Sequence, residues 1–173
     1  MTLMAAFISL GVAFGYALMH IPNVELVTAI IFISGFILGF REGLLIGWIT
    51  EFVFSIFHPM GAPLPPLLIA QVLSMGLTGA IGGIVGKAVK IIDIKATVQI
   101  GIAGFVSTLI FDILTTLSFL VTVSSTWKQI TTGFLAGIIF YAIHLINNTV
   151  IFIVLVPLVL RAALKNRYRS MGI

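Results

Sequence analysis

Apolar residues run along this chain in six long blocks, at about residues 3–19, 24–40, 44–58, 67–86, 96–123 and 132–160. Each block is close to the roughly 20 residues that a helix needs to cross a bilayer, and the pattern predicts six transmembrane helices. The breaks between blocks hold turn formers or charges. Pro22 and Asn23 end the first block, and Arg41-Glu42-Gly43 reads as a tight polar turn after the second. Pro59 to Pro66 places four prolines in eight residues, which is a loop composition and not a helix interior. Lys87 to Lys95 forms a basic connection, and Ser124 to Thr131 the next loop. The last block is longer than a typical bilayer core, so its helix should tilt or project.

Composition fits this pattern. The 173 residues are 60% hydrophobic and 8% charged, with a mean hydropathy of +1.26. A soluble domain carries about a quarter charged residues. The expected fold is therefore an all-α membrane protein, one compact bundle from residue 1 to 173. The spans leave no length for a separate soluble domain, which argues against a nucleotide-binding domain and against a globular nucleic-acid binder. Without cysteine there is no disulfide framework and no thiolate metal site. The N-terminus lacks a charged leader region, so Thr2 onward is read as the first span and not as a removed signal peptide.

The net charge of +4 is a topology signal more than a sign of an anionic partner. Arg41, Lys87, Lys90, Lys95, Arg161, Lys165, Arg167 and Arg169 all fall on one side of the six-span layout, and Lys128 alone falls on the other. The positive-inside rule then places both termini in the cytoplasm of a multi-pass protein. Merging spans two and three, or splitting span six, would spoil that agreement.

Lipid supplies no hydrophobic drive for helices to associate, so small residues that let backbones approach are the main packing device. Ala5, Ser9, Ala13 and Ala17 recur every four residues in span one. The stripe suits packing inside the bundle at least as well as a partner helix. Gly76, Gly79, Ala80, Gly82, Gly83 and Gly86 in span four suit internal packing.

Polar side chains at membrane depth are functional candidates by default. At about 1.5 Å of rise per residue, Gln71 is shallow, Glu51 lies about 10 Å from the outer surface, and Asp112 and Tyr141 lie near the midplane. Tyr141, His144 and Asn148 share one helical face at i, i+3 and i+7, with Asn147 at its edge. Trp48 precedes Glu51 by three residues and is deeper than tryptophan usually sits. Two readings compete: an outward-open cavity lined by Trp48, Glu51, Gln71, Asp112, Tyr141, His144 and Asn148, or interhelical hydrogen bonds such as Asp112 with His144 that bind nothing. Glu51 and Asp112 favour the cavity, because no lysine or arginine lies at their depth. Such a site would suit an organic cation or a hydrogen-bonding heterocycle better than a phosphate, which would call for arginine.

Nothing in the chain points to an enzyme. There is no HExxH, GxSxG or phosphate loop, and His20, His58 and His144 are expected at depths too different for one metal site. An intramembrane hydrolase built on Asp112 would lack a second aspartate at matching depth. No cofactor is implied.

Six spans, Ile21-Pro-Asn-Val-Glu-Leu26, Gly39-Phe-Arg-Glu-Gly43, the segment Phe57-His-Pro-Met-Gly-Ala-Pro-Leu-Pro-Pro66 and Phe111-Asp-Ile-Leu-Thr-Thr116 together resemble the S component of an energy-coupling factor (ECF) vitamin transporter. The resemblance covers essentially the whole chain through loose motifs. It implies a substrate-binding subunit of a prokaryotic cell membrane that takes a vitamin or vitamin precursor from outside. Its implied partners are a transmembrane T component and two ATPase subunits. The family's AxxxA contact with the T component would fall on Ala5, Ser9 and Ala13, with serine in place of the middle alanine. The same analogy makes Asn23, Gln71, Asp112, Trp127, Tyr141, His144 and Asn148 pocket candidates and the proline-rich loop a lid candidate. It also implies a toppling motion that releases substrate inward.

The acids and aromatic residues favour a cationic or aromatic heterocycle, such as thiamine or its pyrimidine precursor; a neutral vitamin and a larger cofactor stay open. Two rivals remain, a structural membrane subunit of a cell-envelope assembly and a stand-alone proton-coupled carrier using Glu51 and Asp112.

Overall fold

A computed structural model describes residues 1–123 and 126–170, with side chains through residue 165. Ser124 and Ser125 of the expected third outer loop, and the side chains of Arg167 and Arg169, lie outside the described residues. Seven helices are formed among the described residues: α1 Thr2–Leu18, α2 Val27–Leu38, α3 Phe40–Ile56, α4 Pro65–Ala88, α5 Ile94–Val123, α6 Trp127–Ala136 and α7 Ile138–Ser170. Three of them are long and apolar enough to cross a membrane: α4, α5 and the Ile138–Lys165 part of α7. Among the described residues every regular element is a helix, and the chain has the composition of a membrane protein.

The helix ends correct the sequence reading in two places, each for a local reason. The expected turn Arg41-Glu42-Gly43 is the first turn of α3. Gly39 alone makes the reversal, at φ +112°, a conformation that a side chain would strain. Glu42 then sits in the first turn of α3, where an acid is favourable to the helix dipole. The expected single run from residue 132 to 160 is divided at Gly137 into α6 and α7. Trp127 to Thr131, expected as loop, are helical because Thr126 and Gln129 close a capping box. The prolines behave as composition suggests: Pro65 and Pro66 stand in the first turn of α4, where their missing N–H groups are not needed.

α2 is the axis of the bundle. All ten residues from Val27 to Phe36 are buried, and a helix that is apolar on every face belongs in a core. It is enclosed by α1, α3, α4, α5 and α7. Ala29, Phe32, Ile33 and Phe36 meet Ile100 and Ala103 of α5 and Phe152, Val156 and Leu160 of α7. At 12 residues α2 is only about 18 Å long, less than a bilayer core of about 30 Å, and burial inside the bundle is what accommodates it.

α4 packs on α2 and α3 through its glycines. A Cβ on Gly79 would collide with the Gly43 carbonyl, and Gly35 in turn lies against the Gly79 carbonyl, so three backbones meet at one crossing. Gly82, Gly83 and Gly86 press on Phe32, Phe40 and Phe36. The stripe on α1 behaves differently. Gly11 and Gly15 turn inward onto Thr50 and Phe54 of α3, whereas Ala5, Ser9, Ala13 and Ala17 are exposed on the opposite face. The stripe does not pack within the chain.

Candidate functional site

Two cavities open at the end of the bundle away from the basic connections. The first, of about 290 Å³, lies between the ends of α1 and α3, the first half of α4, the middle of α5, the second turn of α7 and the connection from α1 to α2. Asn23, Glu25, Glu51, His58, Gln71 and His144 supply its polar lining; Phe54, Met75 and Phe111 supply apolar walls. The second, of about 390 Å³, is lined by residues of α4, α5, α6 and α7, with Thr115, Thr116 and Tyr141 as its hydroxyls. Gln71 and Phe111 border both. Among the described residues neither cavity is lined by lysine or arginine.

Glu51 is 2% exposed. The Ser55 hydroxyl donates to its Oε1 at 2.9 Å and stands 3.3 Å from Gln71 Oε1, so one residue of α3 ties the acid to the amide on α4. Burying a carboxylate with a single neutral donor is costly, and a cationic group placed in the cavity would offset that cost.

On the other wall a chain of polar groups crosses three elements. His144 Nδ1 lies 2.7 Å from Asp112 Oδ1. Asn148 Nδ2 faces Glu25 Oε1 at 2.9 Å, Thr108 Oγ1 at 3.1 Å and His144 Nε2 at 3.2 Å. The Thr108 proton is given to the Gly104 carbonyl at 2.9 Å, so Thr108 and Glu25 both act as acceptors and the Asn148 atom facing them is its nitrogen. His144 is held between the Asp112 carboxylate at Nδ1 and the Asn148 amide at Nε2. The chain thus runs Asp112, His144, Asn148, Glu25, with a carboxylate at each end.

The same chain fixes the connection from α1 to α2. Glu25 Oε2 accepts the Thr28 N–H at 2.9 Å and so starts α2, while Asn147 Nδ2 donates to the Asn23 carbonyl at 3.1 Å. Asn23 holds φ +57°, which asparagine tolerates better than most residues. The two adjacent asparagines of α7 therefore hold the wall of the first cavity in place. Asn148→Leu is expected to lower stability by about 2 kcal/mol, since it removes the donor to Glu25 Oε1 and to Thr108 Oγ1. Asn148→Asp should be worse, because it sets a second carboxylate against Glu25; thermal unfolding of the purified variants measures both.

The residues singled out from sequence are distributed as follows. Asn23, Glu51, Gln71 and His144 line the first cavity, and Gln71 and Tyr141 the second. Asp112 and Asn148 are buried behind His144 and hold it; the Asp112–His144 pair coexists with a cavity rather than replacing it. The face shared by Tyr141, His144 and Asn148 is thereby split between two cavities and a hydrogen-bond chain. Trp48 lines neither cavity: it lies over Gly76 on the outside of the α3–α4 pair and is 36% exposed. Trp127, at the start of α6, is 78% exposed, and the segment 59–64 also lines neither cavity. Sequence reasoning missed Glu25 as a site residue because it stands in a connection instead of a span. It missed His58, weighed only as a metal ligand, because that residue falls at a span end, and Phe111 because a phenylalanine within an apolar run carries no distinguishing signal.

A comparison of this chain with family models, with curated proteins and with solved structures returns no match.

Proposed function

We propose that this chain is the substrate-binding membrane subunit of an ECF-type importer in a prokaryotic cell membrane, not an enzyme, and that its first cavity takes a vitamin-sized organic cation or nitrogen heterocycle from outside. In this reading α1 to α5 and α7 cross the bilayer as six spans, α6 sits at the outer end, and both termini are cytoplasmic. The observation that carries it is the first cavity: Glu25 and Glu51 line an apolar-walled space of about 290 Å³ with no lysine or arginine beside them. That volume is at the lower end of the range for small-molecule pockets. The charge distribution favours the same orientation. Arg41 begins α3 beside the end of α4, and Lys87, Lys90, Lys95, Arg161 and Lys165 cluster at that end, opposite the cavities.

The outward face of Ala5, Ser9 and Ala13 supports docking of a T component, which with two ATPase subunits would supply the energy. Replacing Ser9 or Ala13 by tryptophan is expected to abolish uptake by the assembled transporter while leaving substrate affinity unchanged. Uptake assays in proteoliposomes beside binding titrations check this, and undiminished uptake would remove the stripe from the interface.

The same exposed stripe also suits a structural subunit that binds no ligand. Native mass spectrometry of the gently purified protein separates the two readings. A stoichiometric small molecule supports capture and identifies the substrate; protein that is empty and not stabilised by any vitamin in a thermal-shift screen supports the structural subunit. Uptake driven by a pH gradient with no ATPase present would instead favour a proton-coupled carrier.

A further inference from the structure

Of the three helices long enough to span a membrane, two are joined on the basic side and the third passes beside their connection. α4 stops at Ala88 and α5 starts at Ile94. Arg161 of α7 donates from Nε to the Ile92 carbonyl at 3.0 Å and ties the third helix to the connection between them. A cleft of about 220 Å³ opens there, lined by Lys90, Ile91, Ile92, Arg161, Leu164 and Lys165.

Its charge is one-sided. Three cations from two elements converge and no acid lines the cleft. The nearest acid in sequence, Asp93, has its Oδ1 engaged by the Ala96 N–H at 2.7 Å as the cap of α5. Among the described residues the one ion pair, Asp112 with His144, belongs to the cavity wall at the other end. All three side chains are exposed at the cleft, and an anion seated among them would be favoured. Ile91, in the cleft lining, and Ile94, the first residue of α5, are 77% and 84% exposed, an arrangement unfavourable in water but natural where lipid headgroups give way to acyl chains. The end of α4 at Ala88 and the start of α5 at Ile94 set the cleft at that level.

We propose that this cleft is a binding site for an anionic phospholipid: Lys90, Arg161 and Lys165 hold the headgroup phosphate while Ile91 and Ile94 lie along the acyl chains. A free phosphate would use the cations but would leave the two isoleucines facing water. A lipid satisfies both, and a basic pocket between spans is a common way to hold one. The proposal does not depend on what the outer cavities bind.

The test uses the full chain in neutral detergent, titrated in mixed micelles with dioleoylphosphatidylglycerol, with dioleoylphosphatidylcholine, or with inorganic phosphate alone. Native mass spectrometry counts bound lipid and thermal unfolding reports stabilisation. The expected result is one retained phosphatidylglycerol per chain and a melting temperature raised above that in phosphatidylcholine. Arg161→Gln with Lys165→Gln should weaken retention about twenty-five-fold, the product of about fivefold for each cation removed near an anionic surface. Lys90→Gln with Lys165→Gln, which keeps the Arg161 bond to Ile92, should do the same, and Lys128→Gln should change nothing. Equal retention of the two lipids, or full retention by both cation-depleted variants, would overturn the proposal. Stabilisation by inorganic phosphate equal to that by phosphatidylglycerol would also overturn it, making the cleft a free-anion site.

Discussion

Replacing Gly79 by leucine is expected to abolish the folded bundle. The obstacle to a side chain there is the Gly43 carbonyl, and the Gly79 carbonyl is itself pressed against Gly35. Backbone cannot swing aside as a side chain does, so α4 would have to leave α2 and α3 and uncover the core around Phe32 and Ile31. The destabilisation should exceed the about 1–3 kcal/mol of ordinary overpacking. Size-exclusion chromatography of the variant should show aggregate in place of a single species. Ala17→Leu makes a comparable increase in volume on the exposed face of α1 and should leave the protein monodisperse with an unchanged melting temperature. A well-folded Gly79→Leu protein would mean that the three-backbone crossing does not hold the bundle together.

The largest expected effect on binding comes from Glu51→Gln. The substitution preserves shape and the contact with Ser55 while removing the charge that faces the first cavity. Removing one member of a buried, hydrogen-bonded charge pair typically costs about 2–5 kcal/mol. Affinity for a cationic ligand, once that ligand has been identified by mass spectrometry, should therefore fall by at least about thirtyfold, while the melting temperature of the ligand-free protein should rise because a neutral amide costs less to bury than a carboxylate. Calorimetric titration of wild type and variant measures the ratio. An unchanged affinity would show that Glu51 serves the packing of α3 on α4 and that the ligand's charge, if it has one, lies elsewhere. Glu25→Gln should weaken binding less, since Glu25 already accepts hydrogen bonds from Thr28 and Asn148.

Residue chemistry alone determined several properties of this protein. Sixty per cent hydrophobic residues in long blocks require a membrane, whatever the tertiary arrangement. The blocks at 67–86 and 96–123 lie inside α4 and α5 because each is bounded by strong local signals, prolines before one and the capping acid Asp93 before the other. The pairing of Asp112 with His144 was also legible, since two ionisable side chains in neighbouring apolar spans have few other partners. What hydropathy could not express was direction. A run of apolar residues looks the same whether it faces lipid or a core, so the burial of α2 on all sides and the outward turn of the α1 alanines both depended on packing. The reversal at Gly39 and the break at Gly137 add no polar residue to the pattern and are settled by backbone geometry. The site was hidden for the same reason. Glu25 reaches Asn148 across 123 positions of sequence, and the two cavities are each lined by residues from at least four helices, with Gln71 and Phe111 bordering both. Membrane character and local helix signals are properties of short stretches and so are written in the sequence, whereas a cavity is the space left between distant stretches and is decided by how they pack.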